Sequence, residues 1–181
     1  MIMKAKSSCL LVIDMQEKLL SAIPENQIVI ANAVWLIQIA MRLEVPILMS
    51  EQYPKGLGHT VKAVRELVPQ SAIMEKVCFS CTEESACMQR LDAWAGEQLI
   101  LVGIEAHVCV LQTALGLLGS GKQVYVVADG TASRRALDAE LAMARLRAEG
   151  VRIVTREMVA FEWLQQAGTD QFRDISRNFL R

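Results

Sequence analysis

The 181-residue chain predicts an α/β protein: a three-layer, doubly wound fold on a six-stranded, mainly parallel sheet with helices on both faces. Short apolar runs of strand length alternate with longer amphipathic segments from one end to the other. Each amphipathic segment is long enough for a right-handed crossover between parallel strands. No repeat, low-complexity tract or linker interrupts the alternation, so residues 1–181 are expected to form a single domain. A chain of this length buries roughly 70% of its unfolded surface.

The first strand, Ser8 to Asp14, is an apolar run that closes on a carboxylate. A helix over Gln27 to Leu43 leads to the second strand, Val45 to Ser50. Behind that strand lies the longest irregular stretch, Glu51 to His59, with the sequence EQYPKGLGH. A helix over Thr60 to Val68 precedes the third strand, Ala72 to Lys76, which closes on a cation. Then come a helix from Glu84 to Trp94, the fourth strand from Gln98 to Gly103 and a helix from His107 to Ser120. The fifth strand, Gln123 to Asp129, a helix over Arg135 to Glu149 and the sixth strand, Val151 to Thr155, complete the sheet. Glu157 to Gln166 and Asp170 to Leu180 read as two short terminal helices. In doubly wound sheets ligands bind outside the carboxyl ends of the strands, where strand order reverses. An order of 3-2-1-4-5-6 makes strands one and four neighbours at that point. Asp14 and the helix carrying Cys109 then meet at one crevice.

Composition narrows the partners. Nineteen basic and 20 acidic residues leave a formal charge of −1, no footprint for nucleic acid or an anionic membrane. Small molecules and other subunits are the expected partners. The N-terminal apolar stretch stops at Asp14, too short for a membrane span or a signal peptide, which gives a cytoplasmic expectation. Five cysteines, an odd number, in a chain with an ample core suggest reduced thiols.

Cys109 is the leading chemical candidate. The run Leu99 to Val110 is an apolar strand that breaks at Gly103 and restarts as a helix with the thiol in its first turn. The N–H groups and positive dipole end of a helix lower a thiol pKa and offer donors to an oxyanion. Taken alone, Cys109 also reads as a small buried hydrophobe at a strand–helix junction.

Together, Leu11-Val12-Ile13-Asp14-Met15-Gln16, Glu75-Lys76, Gly103-Ile104-Glu105-Ala106-His107-Val108-Cys109-Val110 and Val126-Val127-Ala128-Asp129 resemble the isochorismatase-like cysteine hydrolases. That family includes nicotinamidases, N-carbamoylsarcosine amidases and isochorismatases. GIEAHVCVLQTAL, with DMQEKLL and EQYPKGLG, is most similar to its branch of isochorismatase domain-containing proteins. The resemblance implies a triad of Asp14, Lys76 and Cys109. Cys109 would attack a carbonyl carbon, and Asp14 would take its proton and later activate water. Lys76 would place a positive charge beside the aspartate and favour the thiolate; strands three and one lie two spacings apart, about 10 Å, a gap a lysine side chain helps close. The resemblance also implies a cis peptide at Ile104–Glu105, with the backbone N–H groups of Glu105 and Cys109 as an oxyanion hole. It further implies no cofactor and a homo-oligomer; Phe161, Trp163, Leu164 and Phe172 suit subunit contacts as well as core.

Metal-dependent nicotinamidases carry an Asp-x-His pair and a further His after strand two. Here that region has one histidine, His59, and no aspartate, short of the ligands of a typical zinc site, so no metal is expected. Isochorismatases themselves cleave a vinyl ether, chemistry that needs no thiol. The expected activity is therefore hydrolysis of a small amide, imide or ureide-type carbonyl compound through a thioester acyl-enzyme. Two alternatives stand beside it: a vinyl-ether hydrolase with Asp14 as acid, and a non-catalytic interaction protein that retains the fold. Gln16, Tyr53, His59, Phe79 and His107 are candidates for the pocket wall. His107 and Cys109, two apart on a helix, point to different faces, which disfavours a local dyad. Gly116 to Lys122 approximates a P-loop, but Gln123 replaces the magnesium-binding hydroxyl and the run follows a helix. Cys78-Phe79-Ser80-Cys81 has CxxC spacing without a second ligand pair. Trp35, Trp94 and Trp163 read as core or subunit contacts, and Cys9 as core.

Overall fold

The structure, a computed structural model, describes residues 1–94 and 96–180. The expected domain of residues 1–181 also includes Ala95 and Arg181, which lie outside the described residues. Six strands, β1 (Ser8–Ile13), β2 (Ile47–Gln52), β3 (Ile73–Lys76), β4 (Gln98–Ile104), β5 (Gln123–Ala132) and β6 (Arg152–Val154), form one sheet. Its order is β3-β2-β1-β4-β5-β6, and every pairing is parallel.

All six residues of β1 are buried because the sheet is covered on both faces. Side chains alternate across a strand. Leu10 and Val12 accordingly enter one core, shared with α2 (Asn26–Arg42) and α8 (Arg156–Leu164). Cys9, Leu11 and Ile13 enter the other, shared with α5 (Ser85–Asp92) and α6 (Leu111–Gly119). Cys9 is core, and burial pushes its thiol up to about 12. Trp163 is buried and donates its indole N–H to Ser8 Oγ at 2.9 Å, tying α8 to the start of β1.

Several boundaries differ from those expected. β2 runs on to Gln52, two residues past Ser50, because the polar side chains at its end find partners. β5 reaches Ala132, pairing there with Ile104 across a register shift. One-turn helices α1 (Glu17–Leu20) and α3 (Pro54–Leu57) occupy segments expected to be irregular or unassigned. The expected helix over Thr60 to Val68 contracts to α4 (Lys62–Arg65). Thr60 instead bridges Gln16 in antiparallel fashion, and Pro69 supplies no donor to extend the helix. The expected helix from His107 opens as a π-helical turn, Ala106–Val110, before α6 begins. Helices α7 (Ala136–Ala148) and α9 (Asp170–Phe179) complete the fold. Among the described residues no helix is long and apolar enough to cross a membrane.

Gly103 brings the central strands together. Its φ of +126° and a would-be Cβ only 2.0 Å from the Ile13 carbonyl oxygen both require glycine. The backbone of β4 thus passes tightly against the end of β1, one residue before Asp14.

Candidate active site

At the carboxyl ends of the central strands a carboxylate, a cation and a thiol converge. Asp14 leaves β1 in the left-handed region (φ 50°), a conformation that aspartate tolerates better than most side chains. Its N–H extends the ladder to Ser50 O at 3.1 Å. Asp14 Oδ1 accepts from Ser50 Oγ at 2.7 Å, and Oδ2 accepts from Lys76 Nζ at 2.7 Å. Both side chains of the ion pair are fully buried. Lys76 also donates to Gln52 Oε1 at 2.6 Å and to the Phe79 carbonyl at 3.0 Å. Three ammonium protons thus meet three acceptors, the condition for holding a buried charge. Burial opposes that charge, but the Asp14 carboxylate outweighs it, and the ammonium is held above its ordinary pKa.

Cys109 lies on the π turn with 6% of its surface exposed. The Glu105 carbonyl accepts from Val108 N–H at 3.0 Å and from Val110 N–H at 3.3 Å; the latter i→i+5 bond widens the turn. The thiol pKa is raised, not lowered: burial and then the Asp14 carboxylate push it up, and Lys76 only partly opposes them. This corrects the expectation drawn from the helix N-terminus, because desolvation outweighs a partial dipole charge. Cys81 also faces this cluster from the segment after β3 and is fully buried, its N–H donating to Thr113 Oγ1 at 3.0 Å.

The Ile104–Glu105 peptide bond is cis. Glu105 itself is gripped by the β5–α7 connection. Arg134 donates through Nε to Oε2 at 3.0 Å and through Nη2 to Oε1 at 2.9 Å, and its backbone N–H adds a bond to Oε2 at 3.0 Å. Burial would raise the Glu105 pKa, but these bonds and the Arg134 charge bring it below the ordinary carboxylate value.

A family model of the isochorismatase domain matches residues 8–158. The chain belongs to the isochorismatase family. Isochorismatase domain-containing protein 2A of Mus musculus is 38% identical over 174 residues, covering 95% of this chain and 82% of the mouse protein. MAR1 ribonuclease from Caenorhabditis elegans superposes with a TM-score of 0.92 at 34% identity, covering 100% of this chain and 93% of the nematode chain. The Escherichia coli YcaC gene product, described as an octameric hydrolase of unknown specificity, shares the fold with a TM-score of 0.92 at 20% identity; the match covers 99% of this chain and 91% of YcaC. The expected strand order 3-2-1-4-5-6 is the one observed, and the family that the chain's motifs resemble is the one whose model matches.

Within this isochorismatase-family chain the candidate pocket residues separate. Gln16 is fully buried and its carboxamide is spent on backbone: Nε2 donates to Gln52 O (3.0 Å) and Gly58 O (2.6 Å), and Oε1 accepts from Gln52 N–H (2.7 Å). Tyr53 and Phe79 are exposed, and a cavity of about 290 Å³ beside Lys76 has Tyr53, Val77 and Glu84 on its wall; Cys109 does not line it. His59 Nδ1 lies 2.9 Å from Glu51 Oε2, whose carboxylate also holds Thr60 N–H and Arg65. His107 Nδ1 lies 2.9 Å from Ser133 Oγ, a partner other than Cys109. All five cysteines are free. Ser50, Gln52, Ser133 and Arg134 went unnoticed in the sequence. The signal for the first two was present: polar residues two apart at the carboxyl end of an apolar strand share one face and must find buried partners.

Proposed function

We propose that this chain is a cysteine hydrolase of small amide, imide or ureide-type carbonyl compounds, working through a thioester without a metal. The observation that carries the reading is the fully buried Asp14–Lys76 pair at 2.7 Å, facing the Cys109 thiol. The resting thiol keeps its proton, since burial and Asp14 both disfavour the thiolate. As Sγ attacks the carbonyl carbon, Asp14 takes that proton, a transfer suited to a carboxylate whose oxygens already act as hydrogen-bond acceptors. The backbone N–H groups of Glu105 and Cys109 hold the oxyanion, each donor contributing about 3 kcal/mol. Collapse expels the amine, which carries away the proton from Asp14. Water then loses a proton to Asp14 as it attacks the thioester, releasing the acid and restoring the thiol. Lys76 remains a fixed cation throughout, all its donors being engaged.

An acid role for Asp14 in vinyl-ether cleavage fits less well, because that reaction starts from a carboxyl that donates, whereas both oxygens here accept hydrogen bonds from Ser50 and Lys76 and the thioester path gives Asp14 a proton only when Cys109 yields it. The reading without a metal rests on the stretch after β2, which carries one histidine, His59, and no aspartate, short of a typical zinc ligand set. The net charge of −1 offers no attraction to a polyanion, so the ribonuclease name of the nematode neighbour is not extended to this chain. Screening amides, imides and ureides for turnover with native protein and Cys109→Ala tests the proposal. We expect a loss of more than about 10³-fold in the variant. Turnover that survives the substitution would move the chemistry to Asp14 alone.

A further inference from the structure

The Asp14–Lys76 pair does not stand unaided: Gln52, on the intervening strand β2, accepts from the same ammonium. β3 is the edge of the sheet and β1 the centre, so the Lys76 side chain crosses β2 to reach Asp14. Where it crosses, the end of β2 supplies two side chains on one face. Ser50 holds Asp14 and Gln52 holds Lys76. The Gln52 carboxamide cannot turn freely, because Nε2 donates to Val77 O at 2.7 Å and thereby aims Oε1 at Nζ, 2.6 Å away. Its backbone is fixed as well, bracketed by both ends of the buried Gln16 carboxamide.

We propose that Gln52 is a positioning residue that holds the Lys76 ammonium charged and seated on Asp14, and so sets the reactivity of the Cys109 thiol from two strands away. This inference rests on the reading that Asp14, Lys76 and Cys109 do the chemistry. The charged and titratable groups facing the thiol are Asp14, Lys76 and Cys81. Those facing the ammonium are Asp14, Cys109 and Cys81, with Cys87 from α5. Gln52 adds no charge to this set. Its neutral oxygen completes the solvation of the ammonium without neutralising the field that the thiol experiences. Without that oxygen a desolvated ammonium is free to lose a proton or swing off Asp14, and the thiolate loses its stabilising cation.

The test needs no substrate. The pH profile of Cys109 alkylation by iodoacetamide, read by intact mass and peptide mapping, is compared for the native chain, Gln52→Met, Gln52→Ala, Lys76→Met and Lys18→Ala, since altered packing changes the rate at every pH alike whereas a changed field moves the profile along the pH axis. Lys18 Nζ ties α1 to Gly56 O of α3 at 2.8 Å, so its loss loosens the connection after β2 without touching Lys76. Gln52→Met keeps the length and removes the acceptor; labelling is expected to slow about tenfold, the effect of a one-unit rise in thiol pKa. Gln52→Ala opens room for water to replace the carbonyl and is expected to slow labelling less. It also provides a reading should the methionine variant fail to fold. Lys76→Met is expected to slow labelling at least as much, and Lys18→Ala to leave it unchanged. If Lys76→Met slows labelling while both Gln52 variants match native protein, the role of Gln52 is overturned and the triad stands. If Lys76→Met also labels at the native rate, the triad reading fails and the inference falls with it.

Discussion

At the residue scale, Asp14 and Lys76 act on the Cys109 thiol with opposite signs. The carboxylate raises its pKa and the ammonium lowers it. Asp14→Asn should therefore speed alkylation of Cys109 at a fixed pH, whereas Lys76→Met should slow it, each by about tenfold or more. Hydrolysis should fall in both variants. A carboxylate needed for turnover that nonetheless restrains the free thiol gives the Asp14 variant a signature of its own: faster labelling with slower catalysis. Equal labelling rates in all three proteins would mean that neither charge senses the thiol. Asp14 was legible as a charge that closes an apolar strand, whereas Lys76, after Glu75 at the end of its strand, stood out through the family resemblance. The thiol's environment was not, since a helix dipole is visible as a pattern of residues while desolvation depends on what packs around them. Glu105 illustrates the same limit, for its partner Arg134 lies 29 positions away at the end of another strand.

The strand order was legible at the scale of elements because every crossover segment had enough length and a regular enough face. Less legible were the short pieces between β1 and β3, where single hydrogen bonds rather than periodicity decide the path. Thr60 and His59 are held by Glu51 and by the bridge to Gln16, so a helix expected from Thr60 starts later. Burial alone would raise the Glu51 pKa, but His59, Thr60 and Arg65 bring it below the ordinary value of 4.5. A depressed folded-state pKa contributes stability above the unfolded value and loses it as pH falls through the folded one. Glu51→Gln should accordingly cost about 2 kcal/mol at neutral pH. Denaturant melts should show the gap to native protein closing below pH 4.5. A gap that is constant with pH would show that the carboxylate charge is not what anchors the loop. Gly103→Ala is the sharper test of the strand contact beside Asp14. Its Cβ would meet backbone rather than a movable side chain, and a loss of about 3 kcal/mol is expected in the same melts. A variant as stable as native would mean that β4 and β1 separate freely there.

Across the whole molecule, the two cores sandwich the sheet and leave its carboxyl edge to polar chemistry. Residues 14, 76 and 109 come from three strand ends that share little local sequence, so the site exists only when β2 and β4 flank β1 on both sides. Lys76, however, belongs to β3, a four-residue strand at the rim of the sheet. Edges of this kind are the first parts of a domain to open. In the closed state its side chain is fully buried and its amine has no free proton to donate. Acylating reagents that modify exposed lysines should therefore spare it until β3 detaches. The rate at which Lys76 is acylated would then record how often the rim of the sheet lifts, turning a buried charge into a clock for local unfolding.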